Sequence, residues 1–171
     1  MTRSISEVKN SSDLYLQEAE LCANHSPVLG FAAMTMALSC VVAFGEALLG
    51  KARAPAEDCI KEFYKKMNSN DWLLDPQGHS SPYEILTGVR NALFHVLSLP
   101  NHVCFVRVRE DFRATEVNKS RIGIVPSLFV RSVRETIANI ISANPGLCFD
   151  LLSDIKKRSP VSVTTIGSKA G

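Results

Sequence analysis

The sequence predicts a mainly α protein, an antiparallel up-and-down helical bundle with a short β-hairpin insert. Three observations point there. Apolar residues recur at helical spacing through most of the chain. Helix start and stop residues punctuate that pattern: Pro followed by acidic residues, Ser-Pro, a lone Gly, a closing Pro. Two runs, residues 103–108 (VCFVRV) and 122–125 (IGIV), are β-branched and short, and a polar loop joins them as in a hairpin.

The elements follow in order. A first helix begins at Asp13, or as early as Ser6, with Leu14, Leu16, Ala19, Leu21 and Cys22 set among Gln17, Glu18 and Glu20. His25-Ser26-Pro27 closes it. The next stretch, residues 27–49, carries no charge from Pro27 to Gly45 and is stopped by Gly50. It approaches the ~20 apolar residues that cross a bilayer. Against that reading stand Gly30, Thr35, Ser39, Gly45 and Glu46, and the lack of a Lys/Arg cluster or aromatic belt at either end. A helix apolar all round equally suits the centre of a bundle. That is the preferred reading, and no membrane is expected as a partner.

Pro55, with Glu57 and Asp58 behind it, opens a third helix whose inner face is Ile60, Phe63, Tyr64 and Met67. Residues 68–81 (NSNDWLLDPQGHSS) are rich in turn formers and read as a loop with Trp72 turned inward. Ser81, Pro82 and Glu84 form a capping-box start for a fourth helix, which runs to Leu99 and stops at Pro100. After the hairpin, Pro126-Ser127 introduces a fifth helix to Ala143. Asn144-Pro145-Gly146 turns into a sixth over residues 147–157. A length of 171 residues suits one domain, here 1–158, with 159–171 as a flexible tail.

Composition narrows the class. Hydrophobic residues make up 46% and charged ones 21%, enough apolar matter for a core, and the net charge of +2 gives no general basic surface. The five cysteines are odd in number and form no CxxC pair, which fits reduced thiols in a cytoplasmic protein. The opening MTRSISEVKNSSD has no apolar run of a secretory signal. No metal or cofactor is expected. His102 and Cys104 form a close His/Cys pair, but two ligands do not make a zinc site. Glycine-rich phosphate loops, nucleophile elbows and HExxH helices are lacking.

The fourth helix carries the chemistry. At about 100° per residue, Leu86, Val89, Leu93, Val96 and Leu97 fall together, flanked by Ile85, as a core face. Opposite lie Glu84, Thr87, Asn91, His95 and Ser98 in one polar stripe. Asn91 and His95 are a turn apart on the same side. Arg90 borders the stripe, about 100° from Asn91, within reach of a long side chain. A lone histidine on a helix is most often a core or a solvated residue. Placement opposite the core face removes the first reading for His95 and leaves the second. Phe94 beside the stripe suggests that this face meets something other than water, such as a partner subunit.

The run Arg90-Asn91-Ala92-Leu93-Phe94-His95 resembles the signature of the HEPN superfamily: an Arg, commonly a polar residue next, then a His after four to six intervening positions. The helical bundle with the motif on a late helix is similar too, and the resemblance covers the chain to about Leu99. It implies a metal-independent endoribonuclease, a toxin or defence effector, whose protomers pair so that both copies of the Arg and His line one cleft. It also implies RNA as substrate, a homodimer, and an antitoxin or other regulatory protein as partner. Cleavage through the neighbouring 2′-hydroxyl needs a proton-transfer group that works near neutrality, which imidazole supplies. It also needs a fixed cation against the phosphorane, which guanidinium supplies. His95 is therefore assigned to proton transfer as base or acid, Arg90 to phosphate and transition-state binding, and Asn91 to orientation.

A second cationic region lies in the hairpin. Strand alternation sets Phe105, Arg107 and Arg109 on one side, with Arg113, Lys119 and Arg121 in the loop. Arginines beside an aromatic could grip phosphates and stack a base, which makes Arg107, Arg109 and Arg113 candidate RNA-binding residues. The competing reading is a solvated hairpin whose charge is balanced by Glu110, Asp111 and Glu116. Two other functional classes remain open beside the ribonuclease: a non-catalytic HEPN-like module binding RNA, a nucleotide or a protein, and a small membrane-associated protein built on residues 27–49.

Overall fold

The structure is a computed structural model, and it describes residues 5–25, 29–51, 53–75, 78, 81–96, 98–107 and 121–144. Among these are five helices, α1 (Ile5–His25), α2 (Gly30–Leu49), α3 (Ala56–Tyr64), α4 (Pro82–Val96) and α5 (Pro126–Ala143). A small sheet is formed by β1 (Leu73–Leu74), β2 (Val103–Phe105) and β3 (Ile122–Ile124). The protein is thus mainly α with a short β insert, as its sequence predicts. The expected sixth helix over 147–157, the tail from 159, and Arg109 and Arg113 lie outside the described residues.

The apolar α2 is the middle of the bundle and packs against α1, α3, α4 and α5. Its buried residues run from Gly30 and Ala33 through Met34, Ala37, Leu38, Cys40 and Val41 to Phe44 and Gly45, a broad arc of the helix. The polar members of this run are satisfied at home: Thr35 Oγ1 donates to the Phe31 carbonyl and Ser39 Oγ to that of Thr35, each at 2.8 Å. Gly50 ends the helix in the left-handed region (φ 60°), where its N–H reaches the Ala47 carbonyl. Among the described residues α2 alone has the length and apolar composition to cross a membrane, and 44% of its most apolar window is buried inside the protein.

Gly45 explains how α3 comes so close. A Cβ there would lie against the Cys59 carbonyl and 2.7 Å from the Cys59 Cα, so only hydrogen leaves room for this crossing. Pro55 caps α3, and Cys59, Ile60 and Phe63 form its buried face.

The first helix departs in part from expectation. Its inner face is Val8, Ser12, Leu16, Ala19 and Ala23, at spacings of three and four. Leu14 and Leu21, which the sequence pattern groups with that face, are 64% and 65% exposed. They stand two turns apart on the outer side, because seven residues complete nearly two full turns.

The two predicted strands pair, but not as a hairpin. β2 and β3 are parallel, with Val103 opposite Ile122 and Phe105 opposite Ile124. A connection of more than a dozen residues separates them, long enough to carry the chain back to the start of a parallel neighbour. The third strand comes from the segment read as a loop: β1 lies antiparallel to β3, with Leu73 opposite Ile124. Sheet order is β1-β3-β2, so β3 is the middle strand and all three of its residues are buried. Trp72 is fully buried as expected, its ring edge-on to Phe129 at 5.1 Å, while its carbonyl accepts from the Val125 N–H at 2.9 Å. Pro126 then starts α5, whose buried face (Phe129, Val130, Val133, Thr136, Ile137 and Ile140) closes the core over α1 and α2.

Candidate active site on the fourth helix

α4 starts as its sequence dictates. The Ser81 N–H donates to Glu84 Oε2 at 3.3 Å, the reach-back half of a capping box, and the Ser81 carbonyl accepts from Glu84 and Ile85 N–H groups. Ile85, Leu86, Val89 and Leu93 are buried. Two details differ from the sequence reading. The helix ends at Val96, three residues before Leu99, and the Ser98 N–H turns back to the Ala92 carbonyl. Val96 is also 70% exposed although it lies on the core-facing side.

The polar stripe faces outward as predicted. Glu84, Asn91, His95 and Ser98 are exposed, while Thr87 is half-buried and donates to the Tyr83 carbonyl at 2.8 Å. His95 is therefore not walled in by aliphatic neighbours. It sits in the last turn of α4.

Arg90 is half-buried and does reach over. Its Nη1 donates to Asn91 Oδ1 at 3.1 Å, and its guanidinium carbon lies 4.9 Å from the centre of the Phe94 ring. Around the helix, Phe94 stands about 40° from Arg90, Asn91 about 100° and His95 about 140°, all in the same sense. Both contacts of Arg90 thus lie on the His95 side of the helix. The Arg90 Nε is buried and finds no hydrogen-bond partner among the described residues. Phe94 keeps 43% of its surface exposed despite the cation laid on it.

Of the arginines expected to bind RNA, Arg109 and Arg113 lie outside the described residues, and only Arg107 can be placed. Arg107 is exposed just past the end of β2, so the strand alternation that would align it with Phe105 has already stopped. Phe105 itself is occupied: its ring packs edge-on against Phe31 at 5.2 Å and joins the rim of the core. Among the described residues no three His, Cys, Asp or Glu side chains gather where they could hold a metal ion. Sequence reasoning did not foresee Phe94 as a contact of Arg90, although the i, i+4 spacing was a usable signal.

With this geometry in hand, comparison of the chain with protein-family models, with curated proteins and with solved structures finds no match. The case for the site rests on α4 itself.

Proposed function

We propose that this protein is a HEPN-type, metal-independent endoribonuclease of the cytoplasm, working as a homodimer and acting as a toxin or defence effector under an antitoxin or other regulatory partner. One observation carries the reading: a guanidinium held by Asn91 and Phe94 on the side of α4 where an imidazole, His95, stands open to solvent. That pairing suits phosphodiester chemistry. The 2′-oxygen attacks phosphorus and gives up its proton to a base. The bond from phosphorus to the 5′-oxygen breaks, and an acid protonates the leaving oxygen. The products are a cyclic 2′,3′-phosphate and a 5′-hydroxyl. His95 supplies one of the two proton transfers, and a second copy across the dimer axis supplies the other. Arg90 binds the scissile phosphate and neutralises the charge that builds on it, and Asn91 orients Arg90 through the bond it accepts.

The test is incubation of the purified protein with total RNA in the presence of a metal chelator, beside Arg90→Ala and His95→Ala. The wild type should cut and leave cyclic phosphate ends, and each variant should lose about a hundredfold or more in rate. RNA that stays intact at high protein concentration, or His95→Ala cutting at the wild-type rate, defeats the proposal. RNA retained but uncut points instead to a binding module.

A further inference from the structure

We propose that Phe94 is the positioning residue of this site: its ring holds the Arg90 guanidinium in the orientation that phosphate binding requires. The inference rests on the ribonuclease reading for its function but not for its geometry. Arg90 leaves the helix only about 80° from the middle of the buried face, on the border between core and solvent. A guanidinium seeking hydrogen bonds alone would swing into water, where each N–H finds a partner. This one instead buries its Nε without a partner, a disposition that costs free energy and must be offset by other contacts. Two contacts are present. The Asn91 bond engages only Nη1, while the Phe94 ring lies under the guanidinium carbon at 4.9 Å. The attraction is that of a cation for the electron-rich face of a ring, and a planar guanidinium suits it best.

Exposure argues the same way. A large apolar side chain beside a polar stripe, 43% exposed and outside the core, contributes little by burial. Its use to the molecule is the face it offers to Arg90. Because Phe94 lies angularly between Arg90 and His95, the ring sets how far the cation travels toward the imidazole. Asn91 takes one Nη1 hydrogen, so a phosphate contact falls to the remaining Nη hydrogens of Arg90.

The experiment compares wild type, Phe94→Leu and Phe94→Trp. Leucine keeps the size of the side chain and discards the π face, and tryptophan strengthens that face. Three measurements are made: the cleavage rate of total RNA under chelator at saturating and limiting concentrations, the Nε–H resonance of Arg90 in the nitrogen-15 spectrum, and the mass in solution. The Arg90 signal is identified by its loss in Arg90→Lys. We expect Phe94→Leu to fold normally, to lose about tenfold at saturating RNA with a smaller change in half-saturation, and to lose the ring-current shift of the Arg90 Nε–H. Phe94→Trp should recover both rate and shift. A wild-type rate and an unmoved Nε–H in Phe94→Leu overturn the proposal. So does a drop in solution mass that accounts for the whole loss, since the ring would then be a subunit contact. If the wild type itself does not cut RNA, the ribonuclease reading fails, and the Nε–H resonance alone still decides whether Phe94 positions Arg90.

Discussion

At the scale of single residues, two positions in the core make strong demands. Gly45 allows the backbones of α2 and α3 to touch, and a methyl group there meets main chain that cannot rotate away. Gly45→Ala should therefore cost about 3 kcal/mol or prevent folding altogether, read as the urea midpoint, although alanine is the better helix former. An unchanged midpoint would show that the two helices part easily. Cys40 and Cys59 make a different demand. Burial pushes the thiol of each up from 9.0 to about 11, aided at Cys59 by the nearby carboxylates of Glu46 and Asp58. Below pH 9 folded and unfolded chains both keep these protons. Between pH 9 and about 11 only the unfolded chain releases them, so stability falls as pH rises through that window. The urea midpoint should drop between pH 8 and pH 10.5, and drop less in Cys40→Ala. Equal drops in both proteins would count against this account.

At the scale of elements, the helices were legible and the sheet was not. Local signals write helix ends: Gly50 after α2, Pro55 before α3, the Ser81-Glu84 box at α4 and Pro126 at α5 all act where the sequence places them. The polar stripe of α4 was equally visible, because helical angle follows from residue number alone. What the stripe does with Arg90 was not, since a side chain's path depends on its neighbours. Strand direction is likewise decided by the route of a long connection, and β1 is too short to announce itself; only the apolar run Trp72-Leu73-Leu74 hinted at it. On α1, periodicity alone did not separate Leu14 and Leu21 from Leu16. The contrast can be measured. Leu16→Ala, in the fully buried row, should lose about 2–5 kcal/mol. Leu14→Ser and Leu21→Ser, on the outer side, should stay within about 0.5 kcal/mol of wild type. Comparable losses at all three sites would mean that the outer face of α1 is covered in solution.

At the scale of the whole molecule, α2 touches four other helices, and 44% of its most apolar window is buried inside the protein. That packing suits the central helix of a bundle. Recovery without detergent is the expected behaviour, and sedimentation at micromolar concentration should give twice the mass of one chain, as the proposed cleft between two α4 helices requires. A monomer would leave the proton-transfer scheme one imidazole short.

The order of the sheet has a consequence for biogenesis. Its central strand is the last of the three to leave the ribosome, so β1 and β2 exist for a time with no neighbour to pair with. The aliphatic surface destined for α5 stands open over the same interval. Nascent chains stalled just short of Ile122 should therefore be the ones that chaperones hold and proteases find. Release of a few dozen further residues should end that vulnerability in a single step.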